Sequence, residues 1–98
     1  MQTQISTRFT ELTDDLKSRV EAISANLLAR ESRLELAKFG LEERETGKAV
    51  GVVLSWGEKQ DTVVRHAEAS DWDRAFKDLE RRLERALEDA PTTPLEDD

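Results

Sequence analysis

The stretch DWDRAFKDLERRLERALE, residues 71–88, decides the fold, because its apolar residues follow the period of an amphipathic α-helix. Offsets of three, four and seven place these side chains on one stripe: Trp72, Ala75, Phe76, Leu79, Leu83, Ala86 and Leu87. Ser70 or Asp71 is suited to cap the start, since a short polar side chain accepts a free amide hydrogen of the first turn. Pro91 marks the end, because proline cannot continue the hydrogen-bond ladder.

The side opposite the apolar stripe is basic. Its residues, called the basic face below, form one row at about 100° per residue, with the last of them nearer the core edge: Arg74, Lys77, Arg81, Arg85 and Arg82. Acids cluster on one flank: Asp73, Glu80 and Glu84. Such a face is either a solvated helix surface with local ion pairs or a binding surface for an anionic partner. The pattern alone favours the solvated surface.

The composition indicates one soluble domain. The chain has 98 residues, enough for a single modest core, and no cysteine, which excludes disulfides and thiolate metal sites. It contains neither a membrane-length apolar run nor a signal-peptide pattern, so we expect a cytoplasmic protein that does not enter a membrane.

The net charge of −7 argues against a nucleic-acid binder when the chain is taken whole, but this charge is unevenly distributed. Residues 88–98 hold five acids and no base, which leaves 17 acids against 15 bases in the other 87 residues. We therefore predict a nearly neutral α+β domain over residues 1–88. Residues 89–98, with two prolines and several acids, are predicted to form a disordered acidic tail.

The region before the last helix begins with a strand and a helix. Residues 1–8 alternate as a short polar strand, and residues 10–30 have helical periodicity. Thr10 or Thr13 is predicted to cap this helix, and Phe9 to pack against it as a hydrophobic staple. Its predicted buried stripe is Leu12, Leu16, Val20, Ile23 and Leu27, flanked on opposite sides by Lys17 and Arg19.

Three further strands follow. Residues 34–44 form the first, where a change of apolar parity at Ala37–Lys38 predicts a bulge or a strand partly covered on both sides. Residues 49–56, AVGVVLSW, give the strongest strand signal, and residues 62–69 form the last strand. Turn residues occupy 45–48 and 57–61.

The predicted architecture is α+β with the order β-α-β-β-β-α. The first helix returns the chain so that the first two strands lie parallel, and short turns make the later pairs antiparallel. Both helical stripes then cover one face of a four-stranded sheet and leave the other face in water. The last strand is exposed at an edge, which leaves a homodimer through this strand open.

The sequence gives no sign of catalysis. His66 is the sole histidine, Ser55 lacks a recognisable base, and no glycine-rich phosphate loop or metal-ligand spacing is present. We therefore expect no enzyme activity, no catalytic residue, no metal and no cofactor.

Three stretches together resemble the hibernation-promoting factor and ribosome-associated inhibitor family. MQTQIS followed by FTELTDDLKSRV is similar to the family's opening strand, its turn and its first helix. HAEASD resembles the last strand and its junction with the final helix. DWDRAFKDLERRLERAL is similar to that helix, including a basic-Leu-Glu-basic run at residues 82–85. The resemblance covers residues 1–87.

The resemblance implies a protein that binds the small ribosomal subunit in the channel used by messenger and transfer RNA. Such proteins silence ribosomes in stationary phase or under stress, and basic side chains on their two helices meet rRNA phosphates. By position, Lys17, Arg82 and Arg85 match basic residues of the family. The predicted nucleic-acid-binding set is therefore Lys17, Arg19, Arg74, Lys77, Arg81, Arg82 and Arg85.

The alternative is a diverged protein-interaction module that keeps this fold without binding RNA. Where the family carries further lysines in the first helix, this chain has Ile23 and Asn26. Where the family's second helix ends in basic residues, this chain has Glu88 and Asp89. Each lost basic contact lowers affinity for a phosphate surface.

Overall fold

The computed structural model describes residues 2–56 and 61–89, apart from the side chains of residues 61, 88 and 89. The elements are β1 (Gln2–Arg8), α1 (Asp14–Arg30), β2 (Leu34–Arg44), β3 (Gly47–Trp56), β4 (Asp61–Ala69) and α2 (Trp72–Asp89). The predicted α+β class and the order β-α-β-β-β-α are thereby confirmed. Four residues of the predicted turn, 57–60, and the acidic tail from residue 90 onward lie outside the described residues.

The four strands form one mixed sheet in the order β1-β2-β3-β4. β1 runs parallel to β2, because α1 carries the chain back to the starting end of the sheet. β2–β3 and β3–β4 are antiparallel, as the short connections require. The predicted topology is therefore confirmed.

The core lies between the two helices and one face of the sheet. β3 shows why, since Val50, Val52, Leu54 and Trp56 alternate with less buried residues and all face the helices. α1 contributes a buried stripe around Val20, and α2 contributes Ala75, Phe76, Leu79, Leu83 and Leu87 to the same cluster. The other face of the sheet, called the open face below, carries no helix within the described residues, and Val64 on it is 56% exposed.

The start of α1 differs from the prediction. The helix begins at Asp14, and Thr13 caps it by accepting a hydrogen bond from the Leu16 amide at 3.2 Å. Leu12 therefore precedes the helix and is 40% exposed, so its assignment to the buried stripe was wrong. Phe9 is 76% exposed with a φ of 62°, so it does not act as a staple. A positive φ is uncommon for a residue other than glycine and is typical of turns.

The irregularity in β2 lies nearer its start than predicted. Register with β3 shifts between Leu34 and Leu36, and from Ala37 onward the buried positions alternate regularly. The bulge predicted at Ala37–Lys38 was therefore misplaced. Glu35 is the extra residue of the shift, so Leu34 is buried under the helices whereas Leu36 lies on the open face, half-buried.

Gly47, which opens β3, is expected to tolerate no side chain. Its φ is 155°, and a Cβ built there would overlap the backbone oxygen of Ala69 at the end of β4. Gly47→Ala should therefore lower the free energy of unfolding by about 1–3 kcal/mol, measured by urea denaturation.

Gly40→Ala is the matched control for this prediction. A Cβ at Gly40 would lie 3.8 Å from the Ser6 hydroxyl oxygen, which is ordinary van der Waals contact. We expect a change of less than about 1 kcal/mol for this variant. Equal losses for the two glycines would show that the contact with Ala69 is not what constrains Gly47.

Candidate nucleic-acid interface

The basic face lies on the side of α2 that points away from the core. Ala75, Phe76 and Leu79 are fully buried against the sheet, whereas all five residues of the basic face are exposed. Asp71 fixes the start of the helix by accepting a hydrogen bond from the Arg74 amide at 2.8 Å. The helix therefore holds the basic face at the surface, as the periodicity predicts.

The acidic flank of α2 faces α1. The Asp73 carboxylate accepts a hydrogen bond from the Arg19 guanidinium at 2.7 Å, and Glu84 lies 3.9 Å from Arg30. Arg19 also lies over the ring of Phe76, with 5.1 Å between the guanidinium carbon and the ring centroid. Arg19, a predicted nucleic-acid-binding residue, thus joins the two helices rather than extending the basic face.

The amino-terminal half of the basic face is largely balanced by carboxylates. Arg74 lies 3.7 Å from Asp71, and the Lys77 ammonium lies 3.2 Å from Asp73. Both cations remain exposed, but a carboxylate in or next to the same helix partly offsets the positive charge of each. Each cation of this half therefore has a carboxylate partner on α2 or at its start, although Asp73 also binds Arg19.

The carboxy-terminal half of the basic face carries the excess positive charge. Asp78 accepts one hydrogen bond from Arg81 at 3.2 Å and another, on its other oxygen, from Arg82 at 3.1 Å. Arg85 is exposed, and no carboxylate among the described side chains pairs with it. Asp78 thus holds two of the three guanidinium groups in place.

The ion pairs of α2 lower the pKa of the carboxylates that take part in them. The hydrogen bond from Arg82 is the main cause that lowers the pKa of Asp78, with a smaller contribution from Arg81. The pKa of Asp73 is lowered chiefly by Arg19 and then by Lys77. A lowered folded-state pKa stabilises the fold above the unfolded pKa, and this contribution is lost as pH falls through the folded pKa. The pairs are exposed, so the contribution is small.

The Asp78 pair gives a direct prediction. Arg82→Gln should move the pKa of Asp78 up toward its ordinary value, because the largest charge-assisted hydrogen bond is removed. Arg81→Gln, its matched control on the same carboxylate, should raise the pKa of Asp78 less. Carboxyl-carbon NMR titration measures both values, and an equal rise in the two variants would contradict the assignment of Arg82 as the main partner.

The structure separates Lys17 from the other predicted residues. Lys17 is exposed on the side of α1 that also carries Ser24, and the Ser24 hydroxyl accepts a hydrogen bond from Thr3 of β1 at 3.4 Å. This side of α1 therefore faces away from α2. Of the predicted set, Arg81, Arg82 and Arg85 are brought together, Arg74 and Lys77 continue the same helix face, and Lys17 lies apart.

Arg65 of β4 lies beside these arginines, and the sequence analysis missed it. One surface cleft is lined by Arg65, Asp78, Arg81, Arg82, Arg85 and Ala86. The alternation of residues along β4 could have identified it, because Arg65 lies on the same face of the strand as the buried Ala67 and the half-buried Val63. A charged residue on that parity at a sheet edge must turn its head group outward, beside whatever covers the sheet.

Among the described residues, no three His, Cys, Asp or Glu side chains are grouped in a way that would hold a metal ion. No helix within the same residues has the length and apolar character needed to cross a membrane.

Comparison with known proteins places the fold. No protein-family model matches the sequence, and a search of curated proteins finds no match. A ribosomal subunit interface protein from Coxiella burnetii superposes with a TM-score of 0.80 at 16% identity, covering 90% of this chain and 94% of that protein. The N-terminal domain of Thermus thermophilus Protein Y superposes with a TM-score of 0.74 at 22% identity, covering 86% and 91%. This chain therefore has the fold of these proteins, which confirms at the level of fold the resemblance seen in its sequence.

Proposed function

We propose that this protein binds the small ribosomal subunit through its basic face and silences translation. The fold it shares with a ribosomal subunit interface protein supports a ribosomal partner. The observation that carries the proposal is the cluster of Arg81, Arg82 and Arg85 along one cleft, in which Arg81 and Arg82 share the carboxylate of Asp78. Guanidinium groups bind phosphate oxygens through paired hydrogen bonds, so rRNA phosphates are the expected contact.

Ribosome binding of this kind implies a cellular location and a growth phase in which the protein acts. A ribosomal partner puts the protein in the cytoplasm, and a silencing role makes it a ribosome hibernation factor of stationary phase or stress. Ribosome profiles on sucrose gradients from stationary-phase cells, with and without the protein, measure this role. Identical profiles would rule out an effect on ribosome state.

Co-sedimentation with purified small ribosomal subunits at about 50 and 200 mM salt tests the proposed binding, because phosphate contacts weaken steeply over this range. We expect binding at the lower salt and a marked loss at the higher salt. Bovine serum albumin, another acidic protein, is the control for non-specific pelleting. No binding at the lower salt would overturn the proposal.

A protein-interaction module without RNA binding is the second candidate. It is favoured by the carboxylates that balance Arg74 and Lys77, and by the five acids of residues 88–98. A pulldown that recovers one non-ribosomal protein and no RNA, confirmed with the purified partner, would support this candidate over the first.

Self-association is a further proposal for the open edge of β4. β4 pairs with β3 and ends the sheet on this side, and Val64 is 56% exposed on its open face. Sedimentation equilibrium of the wild-type protein and of Val64→Lys measures whether two copies pair through this edge. A monomer at all concentrations would exclude the homodimer.

A further inference from the structure

Arg65 occupies an unusual place in the sheet. The register pairs Phe39 of β2 with Val52 of β3, and Val52 with Arg65 of β4, so all three lie on the face that the helices cover. Phe39 and Val52 are buried in the core, whereas Arg65 is exposed at the edge. Arg65 therefore stands at a position where an apolar side chain would extend the core beneath α2. Its side chain is instead exposed at the edge of the sheet.

Arg65 lines the same cleft as the arginines of α2. This cleft of about 530 Å³ lies between β4 and α2 and is lined by Arg65, Asp78, Arg81, Arg82, Arg85 and Ala86. Two separate elements thus supply its positive walls. Among the described side chains that line it, four are arginines and one is a carboxylate.

Arg65 keeps its charge available for an added anion. It donates a hydrogen bond at 2.7 Å to the backbone oxygen of Val64, and none of the described carboxylate side chains pairs with it. Asp78 is already engaged by Arg81 and Arg82. Two arginines that line the cleft, Arg65 and Arg85, therefore have no carboxylate partner among the described side chains.

An anion that enters the cleft would relieve the repulsion among these cations. A phosphodiester group suits it best, since its two free oxygens accept the paired hydrogen bonds that guanidinium groups donate. The cleft is also open on the surface, as a continuous RNA strand requires. A strand crossing α2 at its carboxy-terminal half would thus reach the edge of the sheet as well.

We propose that Arg65 and Arg85 hold one phosphodiester group of RNA in the cleft between β4 and α2. The inference rests on the proposed function and deepens it, because it assigns part of the RNA site to a strand residue. It also explains how this chain compensates for the acids at 88 and 89, since Arg65 adds a positive charge from the neighbouring element.

Edge protection is the competing role for Arg65. An inward-pointing charge on an edge strand discourages pairing with another sheet, and this role alone would need no RNA. The two roles predict different losses. A phosphate contact affects RNA affinity and its salt dependence, whereas edge protection affects self-association.

The experiment measures binding to purified small ribosomal subunits as a function of salt for Arg65→Gln, Arg65→Lys and Arg85→Gln. Arg65→Gln should weaken binding about five- to tenfold and reduce the slope of log K against log salt by about 0.7–0.9. Arg65→Lys should restore most of this slope, because it retains the charge. Arg44→Gln removes an exposed arginine at the end of β2 and is the matched control, with no expected change.

The double variant Arg65→Gln/Arg85→Gln tests whether both residues hold one phosphate. If they do, its loss of affinity should be smaller than the product of the two single losses. Full independence of the two losses would overturn the shared-phosphate assignment.

The outcomes separate the inference from the proposed function. Absence of wild-type binding would overturn both. Wild-type binding with equal behaviour of Arg65→Gln and Arg44→Gln would overturn the inference alone. If Arg65→Gln leaves the affinity unchanged and self-associates on size-exclusion chromatography, Arg65 protects the sheet edge. This result would also overturn the inference. Circular dichroism melting confirms that each variant is folded before binding is compared.

Discussion

Replacing Arg81, Arg82 and Arg85 with glutamate is expected to weaken binding to small ribosomal subunits by at least about a hundredfold. Even at about 1 kcal/mol for each hydrogen bond to phosphate, which is below the usual value for charged groups, three lost contacts amount to about 3 kcal/mol, or roughly a hundredfold in Kd. The new carboxylates add repulsion to this loss. Fluorescence anisotropy of labelled protein titrated with subunits measures the change.

The fold should survive this replacement. All three side chains are exposed, and the ion pairs that Arg81 and Arg82 make with Asp78 are surface pairs of small value. We therefore expect the thermal unfolding midpoint to stay within about 5 °C of the wild-type value. A larger fall would show that these arginines stabilise the fold, and the loss of binding would then not be evidence for a phosphate contact.

The matched control reverses Arg8, Lys38 and Arg44 on the open face of the sheet. This triple variant changes the net charge by the same amount, and its three residues are exposed. If the basic face is the binding surface, the control should weaken binding far less. Equal losses from the two triple variants would mean that net charge governs association, and would remove the argument for a localised interface.

The interface shows where sequence reasoning ends. Helical periodicity grouped Arg81, Arg82 and Arg85 correctly, since neighbours on one helix face follow from its pitch. The pair between Arg19 and Asp73 joins residues 54 positions apart and depends on how the helices pack. Periodicity within one helix contains no such information, so the ion pair of Arg19 was not foreseen, and its place in the RNA-binding set stays a prediction.

The strands show the same limit in another form. The alternation of β3 predicted its buried face, because Val50, Val52 and Leu54 follow the pleat without interruption. In β2, one extra residue moves Leu34 and Leu36 to opposite faces, although their spacing in sequence suggests one face. A bulge is specified by pairing with the neighbouring strand, which the sequence of β2 alone does not describe.

Phe76→Ala is expected to cost about 3–5 kcal/mol of unfolding free energy. Phe76 is fully buried, its ring centroid lies 6.2 Å from that of Trp72, and Arg19 covers its face. Truncation would leave a cavity between α2 and the sheet and would also remove the surface on which Arg19 rests. For a domain of this size, such a loss lowers the unfolding midpoint by at least about 12 °C, which differential scanning calorimetry measures.

Phe9→Ala is the matched control, since it removes the same side chain from an exposed position. Phe9 is 76% exposed, and the guanidinium carbon of Arg8 lies 5.4 Å from the centroid of its ring. Its replacement should change the unfolding free energy by less than about 0.5 kcal/mol. A cost near that of Phe76→Ala would instead mean that Phe9 packs against α1 in solution, as a hydrophobic staple requires. The contrast between the two phenylalanines thus tests directly whether the core ends at the amino terminus of α1.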